Sequence, residues 1–227
     1  MTTPTVDKKM VEQMLASGCH FGHRVQKWNP KMRPYIFGSR DGIHIFDLTK
    51  TQQMLTKAMG ILKEMREQGK SVLLVSTKLQ ATKMVEEAGH EVRCAYVTRK
   101  WIPGLLTNFD TIKRRIKHFK DLKQMRETGG WDKYTKKERV EFQKELAKLE
   151  IAFGGVQDML KLPDAVVVLD ALRDANTLRE AKRLRIPTFA ICDSNSDPAL
   201  VTYPIPGNDD AMKSLTFFLD QIKEALR

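Results

Sequence analysis

The chain has 227 residues, and 41% of them are hydrophobic, a share that supports a folded core and excludes a disordered chain. Lysine and arginine number 39 against 28 aspartate and glutamate, so the formal net charge is +11 and favours an acidic partner such as nucleic acid. No stretch approaches the roughly 18 apolar residues that a membrane-spanning helix needs, and the N-terminal residues have no apolar signal core.

The early part of the chain predicts two helices separated by a loop and a β-hairpin. Asp7 can cap a helix over residues 7–17, which a glycine then ends. Residues 20–34 have no periodic pattern and contain glycine and prolines, so they are predicted as a loop. Two apolar runs at 35–37 and 43–46 flank a glycine-rich turn and predict the hairpin. A helix is expected from about 51 to 68.

The rest of the chain alternates apolar strands with amphipathic helices. This alternation predicts an α/β fold, a three-layer sandwich with a flavodoxin-like or Rossmann-like parallel sheet. Its expected strands are 71–76, 92–97, 164–170 and 187–192, and its expected helices are 78–88, 177–184 and a last one that starts near residue 208.

An antiparallel helical hairpin, of coiled-coil type, is predicted to interrupt this alternation. Thr135 and Glu138 have the spacing of a capping box that begins its second helix. Residues 113–148 hold 13 Lys or Arg and 6 Asp or Glu, so most of the surplus positive charge lies here. We expect residues 108–153 to be an insertion into one globular domain that is formed by 1–107 and 154–227.

A basic loop carries the strongest chemical signal. Residues 20–40 contain no acidic residue, and aromatic side chains are interleaved with the cations. Cations neutralise phosphates and aromatic rings stack on unpaired bases, so this pattern is typical of RNA binding. The alternative is a solvated loop in which Phe21 and Tyr35 belong to the core. The candidate RNA-binding residues are Arg24, Lys27, Trp28, Lys31, Arg33 and Arg40.

A second basic patch begins just before the hairpin and continues into its first helix. A charge run on a helix is often only a solvated face, and that alternative stays open. The one-sided charge favours contacts with phosphates, which would position the protein without reading a base sequence. Its candidate residues are Arg99, Lys100, Lys113, Arg114, Arg115 and Lys117.

A metal site is a weaker hypothesis. His20 and His23, together with Asp193 and Asp209, could meet if the fold brings their loops together at the ends of parallel strands. Such ligands would suit zinc or magnesium. The alternative is that both histidines only make hydrogen bonds, and no metal ligand is assigned.

Enzymatic activity is the other function to weigh. Asp170, Asp174 and Asp193 lie near predicted strand ends, where α/β enzymes place catalytic carboxylates. A soluble enzyme that handles a phosphorylated substrate is therefore the alternative to an RNA-binding protein. Aspartates at these positions also serve as caps and turn residues, and the sequence shows no assembled set of nucleophile, base and oxyanion donors.

Several motifs in order along the chain resemble the bacterial-type ribosomal protein S2 family. They begin with Gly-Cys-His-Phe-Gly-His-Arg at 18–24 and Trp-Asn-Pro-Lys-Met at 28–32. They continue with Leu-Pro-Asp-Ala-Val-Val-Val-Leu-Asp at 162–170 and Tyr-Pro-Ile-Pro-Gly-Asn-Asp-Asp at 203–210. The likeness extends over about residues 8 to 225.

This resemblance implies an α/β domain with an inserted coiled-coil hairpin and no catalysis, no cofactor and no small-molecule substrate. It implies a structural protein of the small ribosomal subunit that supports translation. The implied partners are small-subunit rRNA and neighbouring proteins, among them ribosomal protein S1, which holds mRNA. The implied location is the cytoplasmic ribosome, with an organellar ribosome left open.

Overall fold

The computed structural model describes residues 7–227 and begins with the predicted helix. Helix α1 spans Lys8–Ala16, and the Asp7 carboxylate accepts the backbone N–H groups of Lys9 and Met10 at 3.0 and 3.3 Å. A carboxylate in this position stabilises the first turn because those N–H groups have no partner within the helix. Gly18 ends the segment with a φ of +74°, a conformation that favours glycine.

A small antiparallel sheet follows, and it has three strands instead of the predicted two. The strands β1 (Phe21–Arg24), β2 (Ile36–Arg40) and β3 (Ile43–Phe46) lie in the order β1-β3-β2. The prediction of a loop over 20–34 was therefore wrong for β1. This strand has no alternation of apolar and polar residues, and it is held by pairing with β3 and by packing of Gly22 against Ser194.

The main sheet has five parallel strands, in the order β5-β4-β6-β7-β8. Alternating strands and helices were predicted for this part of the chain, and the α/β fold class is confirmed. Its elements are α2 (Leu48–Glu67), β4 (Val72–Val75), α3 (Thr82–Glu91), β5 (Ala95–Val97), β6 (Ala165–Val168), α6 (Ala175–Arg183), β7 (Thr188–Cys192), β8 (Tyr203–Pro206) and α7 (Met212–Leu226), with α4 and α5 between β5 and β6.

The fifth strand, β8, was not predicted. It contains Pro204 and Pro206, and proline cannot donate a hydrogen bond to a neighbouring strand. Its position at the edge of the sheet removes that conflict, since only one side of the strand is paired. Two predicted helix starts were also wrong. The chain makes a 3-10 turn at Leu79–Ala81 before α3, and α7 begins at Met212 instead of near residue 208.

Helices cover both faces of the main sheet and produce three layers. Successive residues of β4 belong to opposite cores, because side chains alternate along a strand. Val72 and Leu74 pack with α1, α2, α3 and α7, whereas Leu73 and Val75 pack with α6 and the helical hairpin. All four residues are buried, as expected for a central parallel strand. Within residues 7–227, no helix is both long enough and apolar enough to cross a bilayer.

The helical hairpin consists of α4 (Phe109–Glu127) and α5 (Lys136–Phe153). The predicted capping box is present, since the Thr135 hydroxyl accepts the Glu138 N–H while the Glu138 carboxylate accepts the Thr135 N–H. The seam between the helices is apolar and continuous with the core under the sheet. Its buried residues are Ile112, Ile116, Phe119, Leu122, Leu146, Leu149 and Phe153. We infer that residues 108–153 are an insertion between β5 and β6.

Tyr96 on the edge strand β5 lies between two glycines at the base of the hairpin. A Cβ atom built on Gly89 of α3 or on Gly155, just after α5, would collide with Tyr96. Glycine at both positions therefore lets the exit of the hairpin close over the strand edge. An uncovered edge would expose unpaired backbone groups.

Glu180 of α6 holds the segment that leads into the hairpin. Its carboxylate accepts hydrogen bonds from the Trp101 indole at 2.9 Å and from the backbone N–H groups of Gly104, Leu106 and Thr107 at 2.9 to 3.2 Å. Burial alone would raise the pKa of Glu180, but these hydrogen bonds lower it. One ionised side chain thus satisfies four donors and fixes where the hairpin starts.

Replacing Glu180 with glutamine should destabilise the fold by about 2 kcal/mol at neutral pH, because an amide cannot satisfy the same set of donors. Because its pKa is lowered on folding, Glu180 contributes its stability above the unfolded pKa of about 4.3 and loses it as pH falls through the lower folded value. Urea unfolding at pH 7 and at acidic pH measures both effects. Glu141→Gln, at an exposed position of α5, is the control, and an equal loss in both variants would contradict the role of Glu180.

Candidate nucleic-acid interface

The predicted basic loop is anchored to the segment that follows β7, which also contacts β1. The loop follows β1 as two 3-10 turns, and the backbone N–H of Asn29 donates to the Ser194 carbonyl at 2.7 Å. The Asn29 side chain accepts the Lys31 N–H at 3.0 Å, and the Lys31 ammonium lies 2.7 Å from Asp197. The loop therefore has a fixed position, set by the segment that follows β7.

The cations of this loop point outward. Arg24, Lys27 and Arg33 are exposed, and none forms an ion pair with another described residue. Arg40 lies at the tip of the β2–β3 hairpin, 3.7 Å from Asp41, and both side chains are so exposed that the pair contributes little. Four of the five predicted cations are thus free to meet an anion, and Lys31 would have to exchange its carboxylate partner.

The aromatic residues of the loop divide into two groups. Trp28 is half-buried, with its ring centroid 5.1 Å from that of His44, so it has a packing role as well as a predicted RNA-binding one. Tyr35 is half-buried and packs against the core, as the alternative interpretation expected. Phe21 is 46% exposed, so its assignment to the core was wrong.

The outer face of the small sheet carries an apolar surface that the sequence analysis missed. In β3, His44 is buried, while Ile43 and Ile45 are half-buried on the opposite face. Phe21 pairs with Ile45 and therefore lies on that same face. Phe37 sits at a β-bulge in β2 and is 81% exposed. We call Phe21, Phe37, Ile43 and Ile45 the apolar sheet face. This face depends on the register in which the three strands pair, which no local sequence pattern reveals.

The second basic patch lies where β5 leads into α4. Arg99 is 3.7 Å from Glu86, and Arg115 packs over the Phe153 ring at 5.5 Å, so both have partners within the protein. The remaining cations of this patch are exposed and form no ion pair with any residue in 7–227: Lys100, Lys113, Arg114 and Lys117. Within residues 7–227, Lys113, Arg114 and Lys117 thus form an uncompensated cationic edge on α4.

A cluster of charged side chains, largely buried except for Asp210, lies at the carboxyl end of the main sheet. The Lys78 ammonium is 3.0 Å from Asp170, 2.7 Å from Asp209 and 2.7 Å from Asp210. Burial alone would lower the pKa of Lys78, but the charges of Asp209 and Asp170 raise it above its ordinary value. Burial and the neighbouring carboxylates of Asp170 and Asp193 raise the pKa of Asp209. Lys78 was not a predicted site residue.

Two of the four metal candidates meet beside this cluster. His23 Nδ1 is 3.1 Å from Asp193, and its Nε2 is 3.3 Å from Asp210. The hydrogen bond with Asp193 raises the pKa of His23. The other two candidates do not join them. His20 packs against the Phe21 ring, and Asp209 forms an ion pair with Lys78. Within the described chain, no three His, Cys, Asp or Glu side chains form a group suited to a metal ion. The Lys78 ammonium supplies the positive charge that a metal ion would otherwise bring to these carboxylates.

The aspartates that suggested an enzyme have structural partners. Asp174 accepts the Thr77 N–H at 3.1 Å and its hydroxyl at 2.8 Å, and Asp170 accepts the Arg173 N–H at 2.7 Å. Asp193 is buried and bonded to Ser194 and His23. The aspartates at the strand ends, where α/β enzymes place catalytic carboxylates, are therefore engaged in internal contacts.

The acidic groups at the sheet ends are used internally, whereas many cations lie on an outer loop and helix. This arrangement is typical of a basic scaffold protein with an α/β core. A model of the family described as Ribosomal protein S2 matches residues 14–227. The small ribosomal subunit protein uS2c of Cyanophora paradoxa is 41% identical over 216 residues, which cover 95% of this chain and 93% of that protein.

Two further relatives are named small ribosomal subunit protein uS2. That of Nostoc punctiforme is 41% identical over 94% of this chain and 81% of its own length, and that of Desulforapulum autotrophicum is 44% identical over 95% and 77%. The chain belongs to the ribosomal protein S2 family. It is a structural ribosomal protein and not an enzyme.

Replacing Lys78 with methionine should destabilise the protein by about 3–5 kcal/mol at pH 8, because it leaves buried carboxylates without a countercharge. The carboxylates would then have pKa values raised on folding, so the deficit should shrink as pH falls toward 5 and they take up protons. Urea unfolding of Lys78→Met across this range measures the effect. Lys83→Met, at an exposed position of α3, should change stability by less than about 0.5 kcal/mol, and an equal deficit in both would contradict the cluster's role.

Proposed function

We propose that this protein binds small-subunit rRNA through the basic loop and the cationic edge of α4. The observation that carries the proposal is the set of exposed cations without carboxylate partners in the described chain. A cation that is paired with an internal carboxylate gains less from a phosphate than an unpaired one, because it must give up its carboxylate partner first. The proposed contacts are Arg24, Lys27, Trp28, Lys31, Arg33, Arg40, Arg99, Lys100, Lys113, Arg114, Arg115 and Lys117.

These contacts differ in what they are expected to contribute. The free cations would bind phosphates directly and position the protein on the RNA. Lys31, Arg99 and Arg115 already have internal partners, so we expect smaller contributions from them. Trp28 is half-buried, so it can present only part of its ring to a base. The anchoring of the loop on Ser194 reduces the entropy lost when it binds.

Changing Arg24, Lys27, Lys31 and Arg33 together to alanine should weaken rRNA binding. The slope of log K against log salt should fall by about two to three, since each of the three cations that are unpaired in the described chain contributes about 0.7–0.9 and Lys31, which is paired with Asp197, contributes less. Filter binding to small-subunit rRNA over a salt series measures both quantities.

The matched control removes the same charge from exposed positions on the helices of the opposite layer. Its four changes to alanine are at Lys57, Lys63, Lys83 and Lys213. If both variants lose the same slope, only net charge matters and the loop is not the interface.

We also propose that the apolar sheet face docks a neighbouring protein, and that ribosomal protein S1 is that neighbour. Single exposed apolar residues are common, but two exposed phenylalanines beside two half-buried isoleucines, with Phe37 presented by a bulge, form a surface suited to a protein partner. Aromatic side chains are frequent anchors in protein interfaces. The choice of S1 as the partner rests on the family resemblance, and the choice of this surface rests on its exposed aromatic side chains.

Replacing Phe37 with serine should weaken the capture of purified S1 by about tenfold or more, as expected for the loss of an aromatic anchor. Binding to rRNA should be unchanged, because the substitution alters no charge. Leu172→Ser, at another exposed apolar position, is the control and should leave both interactions intact. Undiminished capture by the Phe37 variant would remove this face from the S1 interface.

A further inference from the structure

A groove lies between α4 and the segment 157–160, which follows the 3-10 turn at the exit of the hairpin. Its volume is about 540 Å³. The helix contributes several cations and the Asp110 carboxylate to one wall, and the segment contributes an amide and two apolar side chains to the other. The lining residues used below are Lys113, Lys117, Lys120, Gln157, Met159 and Leu160, with Ile116 beneath.

The floor of the groove is apolar and fixed in place. Ile116 is buried in the hairpin seam, and Met159 packs against the same core. The backbone N–H of Met159 donates to the Val156 carbonyl at 3.0 Å, which holds the segment in a turn. Leu160 is 76% exposed at the end of this turn. Ligand sites are usually concave and lined by apolar side chains, so an exposed leucine in a groove is well placed to contact a ligand.

The cations of the wall follow one edge of α4. Lys113 and Lys117 are four residues apart and therefore lie on the same side of the helix, with Lys120 one turn further. Lys120 is paired with Asp158 at 3.0 Å. Lys113 and Lys117 are exposed and form no ion pair within residues 7–227. The cations outnumber the Asp110 carboxylate along this wall, so the net charge of the groove is complementary to an anion that extends along the helix.

A nucleotide suits this combination better than an acidic helix does. A helix in a groove needs apolar anchors at intervals over two or more turns, whereas this floor has one cluster around Leu160. A flat base can be covered by apolar side chains, and its edge can bond with a donor and acceptor such as the Gln157 amide. The adjacent phosphates would reach Lys113 and Lys117.

We propose that this groove accepts one unstacked nucleobase of an RNA strand, with the phosphates on either side held by Lys113 and Lys117. The inference rests on the proposed rRNA binding and adds to it a site that holds a base as well as the backbone. Its distinguishing consequence is a contribution to affinity that does not depend on salt, because burial of a base on Met159 and Leu160 releases no counterions.

The test uses the full chain and small-subunit rRNA. Leu160→Ser should lower affinity about tenfold, as expected for the loss of apolar surface that covers the base, with an unchanged salt slope. Changing Lys113 and Lys117 together to alanine should instead reduce the slope by about 1.4 for a single-stranded contact. Leu79→Ser removes a leucine of similar exposure, 78%, outside the groove and should have no effect.

A photoreactive benzoylphenylalanine at position 160, in the assembled small subunit, provides the second measurement. The expected result is a crosslink to one rRNA nucleotide. A crosslink to a protein, or rRNA binding by Leu160→Ser equal to that of the unmodified chain, would overturn the groove inference. That outcome is separable from failure of the proposed function, in which the unmodified chain itself would not bind rRNA.

Discussion

The arrangement of the protein depends on the ion pairs between the Lys78 ammonium and the surrounding aspartates. A buried ammonium and buried carboxylates are tolerated only when they neutralise one another, so the elements that carry them must meet. Lys78 follows β4, Asp170 follows β6, and Asp209 and Asp210 precede α7. The contact of Asp210 with His23 extends the cluster to the small sheet. The ion pairs of Lys78, together with the Asp210–His23 contact, therefore connect the main sheet, the small sheet and the last helix.

This use of acidic groups inside the fold determines the character of the surface. Aspartates at the carboxyl end of the sheet neutralise Lys78, accept backbone N–H groups or orient His23, so they are withdrawn from the exterior. Many cations of the basic loop and of α4 form no ion pair with the part of the protein that the structure describes, residues 7–227. The surplus of +11 charges is thus concentrated on particular surfaces, and such concentration is what attracts a polyanion and orients it.

The hairpin is a defined projection because its base is fixed at both ends. Glu180 gathers the donors of the entering segment, and Tyr96 lies between glycines where the chain leaves. Its apolar seam continues into the core under the main sheet. The cationic edge of α4 and the groove beside Leu160 therefore have a set orientation relative to the α/β core. A projection fixed at its base would lose less entropy when it makes the phosphate and base contacts that we propose.

Local patterns in the sequence determined the α/β class, most of the helices and strands, and the basic character of the loop and hairpin. Continuous apolar runs, helical spacing and turn residues act over a few neighbouring residues, so they can be read without the fold. Tertiary structure alone decided the rest. The strand β1 and the proline-containing edge strand β8 form only through their partners, and Lys78 meets Asp209 across 131 positions of the chain. The outward aim of Phe37 and the groove at Leu160 likewise depend on strand register and helix packing, which bring together residues that no local pattern connects.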